Sequence, residues 1–134
     1  MGRARQRPQR RRHRAKGLRS LAKPGSAFND KHFGLVDTQP AHMRDLVTDK
    51  SGDQVHANSG IPNHAFYLFA KALGGHAWET AGRIWYDTMC TGLSKECTFA
   101  TFAAQTLLTA QHYGPKAFDA LARAWHKVGV IADH

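Results

Sequence analysis

Apolar and polar positions divide the chain into two regimes. From Asn58 onward, hydrophobic residues recur at spacings of three and four, the period of a helix with one buried face. Glycine interrupts that period repeatedly. A first helix is predicted to open at a Ser59 cap with Pro62 at its third position. It carries Ala65, Phe66, Leu68, Phe69, Ala72 and Leu73 and stops at Gly74 and Gly75. A second runs from about His76 to Cys90, with Ala77, Ala81, Ile84, Trp85 and Met89 on one stripe, and ends before Gly92. The third starts at a Thr98 cap and presents Phe99, Phe102, Ala103, Leu107 and Ala110 ahead of Tyr113 and Gly114. The fourth opens on Pro115, keeps Phe118, Leu121, Ala122, Trp125 and Val128 in register, and ends at Gly129. Each stripe needs a partner, and links this short favour neighbours in space.

Residues 17–56 follow no such rule. Pro, Gly and Asp mix with short apolar pairs and no period is sustained, which predicts an extended, turn-rich segment with at most a short helical turn around Pro40 to Leu46. No β-branched alternation is long enough to demand a sheet, and no internal repeat is present. The expected fold class is therefore mainly α: a compact helical bundle of about four to five helices, preceded by an extended turn-rich segment and a disordered basic tail.

Charge sharpens the division. The chain has 134 residues, 42% hydrophobic and 22% charged, a composition that fits one domain with enough chain for a core. Its net charge of +9 is local, because residues 1–23 hold ten of the nineteen Lys and Arg and no acid. Residues 1–16 contain no aliphatic side chain larger than alanine after Met1, so they have no face to bury. The domain reading is a disordered Arg-rich tail over residues 1–16 and a folded unit over 17–134. As a nucleic-acid arm the tail would bind phosphate in a salt-sensitive way, and as a membrane-surface arm it would need anionic lipid. No aromatic interleaves its arginines, which argues against base stacking. No apolar run approaches the roughly 18 residues of a membrane span, and no apolar core of a secretory signal follows the basic start. Cys90 and Cys97 are seven residues apart, a spacing compatible with a disulfide and equally with two free thiols.

Candidate chemistry centres on the run Val55-His56-Ala57-Asn58-Ser59-Gly60-Ile61-Pro62-Asn63-His64. It sets a histidine three residues before the expected cap, where backbone N–H groups and the positive end of a helix favour developing negative charge. A loop histidine satisfied by a nearby carbonyl fits the same spacing. The words around it go further. Val55-His56, Asn58-Ser59-Gly60-Ile61, Ala65 and Tyr67-Leu68, with Leu18-Arg19-Ser20-Leu21, Gln39-Pro40-Ala41-His42-Met43, Ala81-Gly82-Arg83-Ile84-Trp85-Tyr86 and Tyr113-Gly114, resemble the C-terminal helical domain of thermolysin-like zinc metalloendopeptidases. The resemblance spans about residues 17–131. It implies that His56 stabilises the oxyanion formed when zinc-activated water attacks a peptide carbonyl. Arg19 would then bind the carbonyl oxygen on the leaving-group side, and Leu18 would line the apolar pocket for the residue after the scissile bond. Donors aimed at an oxyanion are typically worth about 10² to 10³ in rate, and arginine offers a fixed, always charged fork. The resemblance also implies peptide or protein substrates, a zinc cofactor in the complete enzyme, and secretion, which is common in the family.

Two departures qualify what the resemblance implies. The family carries an aspartate five residues before the active-site histidine to orient its ring; here that position is Ser51, with Asp49 and Asp53 each displaced by two residues. His56 is thus expected to be less firmly held and less readily protonated. Catalytic zinc needs about three protein ligands, supplied in this family by H-E-x-x-H and a distant glutamate, and no H-E-x-x-H occurs in these 134 residues. His76 and Glu79 have a helical spacing that could share a metal, but a solvent-facing pair at a helix start has the same spacing. The expectation is a chain that binds no zinc alone and is inactive by itself. Its face toward a zinc domain should be apolar and prone to self-association. The basic stretch before Gly17 reads as the seam of a truncated or frameshifted gene, testable by translating the upstream DNA. A non-catalytic module with a basic nucleic-acid-binding arm, or one subunit of a split protease, are the alternatives.

Overall fold

Proline, glycine and one threonine set the limits of the helices. In the computed structural model, which describes residues 19–30, 32, 34–48, 57–74, 76–93 and 97–132, four α-helices follow an N-terminal segment of turns. They are α1 (Gly60–Leu73), α2 (Ala77–Cys90), α3 (Phe99–Ala110) and α4 (Pro115–Lys127). Thr98 caps α3, its Oγ1 accepting from the Thr101 amide at 3.1 Å. A 3-10 turn, Gln111–Tyr113, continues α3 to Gly114, whose φ of 96° lets the chain reverse before Pro115 starts α4.

The expected Ser59 cap is not formed. Ala57 and Asn58 are already helical, so Ser59 sits at φ −58°, ψ −17° and makes no capping bond. Its hydroxyl instead accepts from Gln39 Nε2 at 3.3 Å. Pro62 keeps its predicted place as the third residue of α1.

The four helices close a ring of contacts, with α1 against α2 and α4, and α3 joining α2 to α4. Burying those faces brings Ile61, Phe69, Ile84, Leu121, Trp125 and Val128 to zero exposure. Trp85 lies at the centre of an aromatic set: it stacks on Trp125 at 5.6 Å and meets Phe66 and Phe102 edge-on at 5.2 and 5.6 Å. The polar handle of Trp125 is satisfied, its Nε1 donating to the buried Thr106 hydroxyl at 2.9 Å. Two stripe assignments need correction. Met89 is 55% exposed because α2 turns that side away from the other helices, and α4 buries Ala117, Leu121, Ala124 and Trp125 while Phe118 and Ala122 stay half-buried.

The N-terminal segment is held to this bundle by polar clamps. A two-residue hairpin pairs Asn29–Asp30 (β1) with Leu35–Val36 (β2) antiparallel, Asn29 opposite Val36, a small sheet that the absence of alternation did not announce. Asp37, 5% exposed, accepts from the Ala27 amide through Oδ2 at 3.0 Å and from the Gln39 amide through Oδ1 at 3.1 Å. Asn58 grips Val47 from both sides, accepting from its N–H at 2.8 Å and donating to its carbonyl at 2.9 Å. The expected helical turn is present as a 3-10 turn at Met43–Asp45. Its Met43 amide donates to Val128 O at 2.8 Å, past the end of α4. Two glycines permit the close fit. A Cβ on Gly60 would stand 2.5 Å from Pro40 O, and one on Gly129 would collide with the His42 ring.

Candidate functional site

Arg19 emerges from the start of the described chain, exposed, on a stretch folded back by its own serines. Ser20 Oγ accepts from the Lys23 amide at 3.1 Å, and Ser26 Oγ donates to Lys23 O at 2.6 Å. One bond ties this stretch to α1: His64 Nδ1–H donates to Leu21 O at 2.8 Å. Between the two runs a cleft of about 480 Å³, bordered by Arg19, Lys23, His64, Tyr67, Leu68 and Lys71. His64 and Tyr67 lie nearly parallel at 6.2 Å, and Lys71 Nζ stands 5.9 Å from the Tyr67 ring centre.

Of the catalytic, substrate-binding and histidine-orienting residues singled out from sequence, Arg19 alone is placed. Leu18, His56, Ser51, Asp49 and Asp53 lie outside the described residues, as does the basic stretch over 1–16. The α1 wall was not singled out beforehand, although His64, Tyr67, Leu68 and Lys71 recur at helical spacings of three and four and mark one face. A second cleft, of about 580 Å³, opens between α2 and α3 beside Asp87, Gln105, Leu108 and His112. There Tyr113 Oη donates to Asp87 Oδ2 at 2.9 Å, and burial, followed by that bond, raises the phenol above its ordinary 10.0. The Tyr86 phenol is raised as well, first by its hydrogen bond with the Cys90 thiol. Cys90 and Cys97 are free thiols.

Among the described residues no group of three or more His, Cys, Asp or Glu could hold a metal, and His76 and Glu79 are both exposed at the start of α2. Also among the described residues, no helix is long and apolar enough to cross a membrane.

Compared with known proteins, residues 2–130 match the family model described as thermolysin metallopeptidase, alpha-helical domain. The chain belongs to that family. The thermolysin-type helical domain is 48% identical over 117 residues to an extracellular metalloprotease of Pectobacterium carotovorum subsp. carotovorum, covering 85% of this chain and 33% of that protein. It is 41% identical over 121 residues to Protease PrtS of Photorhabdus sp. (strain Az29), covering 85% of this chain and 32% of that protein. Among solved structures, the precursor of protealysin, a metalloproteinase from Serratia proteamaculans, superposes with a TM-score of 0.80 at 50% identity, covering 87% of this chain and 37% of that one. The helical domain thus spans about a third of the length of the curated relatives it matches. Its mainly α architecture is that of the family model.

Proposed function

We propose that this thermolysin-type helical domain, taken as residues 17–134, supplies the substrate-binding half of a zinc-dependent endopeptidase cleaving internal peptide bonds. The observation that carries the reading is the family match over residues 2–130, with Arg19 opening onto a cleft at the surface. The described residues offer no metal site and the 134-residue sequence no H-E-x-x-H, so zinc and the general base belong to polypeptide outside these residues. Within the chain the roles divide by chemistry. Arg19 donates to the substrate carbonyl on the leaving-group side, and Leu18 lines the apolar pocket for the residue after the scissile bond. His56 donates to the carbonyl oxygen as it gains charge. The relatives named extracellular support export of the protein, and the exposed Tyr86, Met89 and Leu108 support self-association of the isolated chain.

Mixing the chain with a zinc-domain fragment of a relative tests the reading. Casein should be cleaved by the mixture and by neither part alone, and His56→Ala should lower kcat by about 10² or more. A mixture that leaves casein intact would overturn it. Ser51→Asp in the active mixture should raise kcat/KM by restoring a carboxylate beside His56; an unchanged value would overturn the reading that the missing acid weakens His56.

A further inference from the structure

Three cations converge on the cleft beside Arg19, and no carboxylate meets them. Arg19, Lys23 and Lys71 all border it and all are exposed. Among the described residues none of the three enters an ion pair, and no Asp or Glu borders the cleft. The surroundings are set: His64 is committed through Nδ1 to Leu21 O, its ring lies along Tyr67, and Lys71 stands over that same ring. Like charges gathered in a concavity raise the local concentration of anions. Leu68 and the Tyr67 ring add apolar surface of the kind a short methylene stem can cover.

Resting on the reading of Arg19 as the group that holds the substrate carbonyl, we infer that this cleft is a specificity subsite. It takes an acidic side chain, Asp or Glu, from the peptide downstream of the scissile bond. An extended peptide advances about 3.3 Å per residue and alternates its side chains. The residues that follow the carbonyl on Arg19 therefore pass the mouth of the cleft, where Lys23 and Lys71 meet a carboxylate. The remaining acceptor positions of that carboxylate stay in water, so the subsite selects among substrates more than it adds affinity.

The experiment titrates the 134-residue chain with acetyl-Leu-Glu-Glu-amide and acetyl-Leu-Gln-Gln-amide at low salt, followed by amide chemical shifts. The Glu peptide should bind about fivefold tighter, the effect of two exposed charge pairs, and should move the Ser20, Tyr67 and Lys71 amides. The double variant Lys23→Gln, Lys71→Gln should abolish that preference, while Lys127→Gln, on α4 away from the cleft, should keep it. Equal affinity for the two peptides, a preference that survives the double variant, or shifts confined to residues 1–16 would each overturn the subsite. The proteolytic reading fails separately. Casein left intact by the mixture strikes that reading, whereas casein cleaved without any preference for Glu over Gln downstream strikes the subsite.

Discussion

The bundle over residues 60–131 and the segment over residues 19–48 are stabilised by different means. In the bundle, whole side chains vanish from solvent: Ile61, Phe69, Ile84, Leu121, Trp125 and Val128 are at 0% exposure around the Trp85 aromatic set. In the segment, Leu21, Leu35 and Val36 remain exposed at 42, 57 and 51%, and order comes from Asp37, Asn58 and His64 reaching backbone groups. Apolar burial is non-directional and tolerates repacking, whereas a clamp works at one distance or fails. The cleft beside Arg19 has one wall of each kind. If the proposed substrate contact at Arg19 holds, it falls on the wall that is secured by polar clamps and not by apolar burial.

That contrast can be broken most severely at Trp125. Trp125→Ala removes the fully buried ring stacked on Trp85 and leaves the Thr106 hydroxyl without its donor, with an expected loss of about 3–5 kcal/mol. Urea unfolding should show it, with bundle and segment lost together. Asp37→Ala strips the buried acceptor from the Ala27 and Gln39 amides, a loss of about 2 kcal/mol. Hydrogen exchange should then quicken over residues 24–46 while the α3 and α4 amides keep their protection; uniform quickening would erase the distinction between the regions. Gly60→Ala sets a methyl against Pro40 O but gains helix propensity, so the net should be about 1 kcal/mol of destabilisation, again read first in the segment. The smallest effect belongs to Tyr113→Phe, about 0.5 kcal/mol for one half-exposed hydrogen bond. Since the folded phenol titrates above 10.0, its contribution is complete below that pH and is lost as pH rises through the folded value. Ultraviolet titration should show the variant lacking one late-ionising tyrosine.

The bundle is legible in the sequence because its signals are local. The Thr98 cap, Pro115, Gly74 and Gly114 each act within a few residues, and the structure has them where the period breaks. Ser59 misleads for an equally local reason, since a residue type suited to capping says nothing about helix already formed upstream at Ala57 and Asn58. The clamps are illegible because each joins residues far apart: nothing at Asn58 announces Val47, and nothing at Asp37 announces Ala27. The candidate site divides likewise. Arg19, Leu18 and His56 are found through family words and not through spacing. Lys71 becomes meaningful only when α1 is set beside the stretch that begins at Arg19, joined through His64 and Leu21.

The contact of Gly129 with the His42 ring, beside the bond from Met43 to Val128, has a bearing on how the protein is made. The residues that seat the early segment are synthesised after it and after the first three helices. His42 and Met43 are synthesised before the four helices, yet these two contacts can form only once the end of α4 has been made. A ribosome paused inside α4 would therefore hold a nascent chain with three of its helices already made and its early segment still unseated.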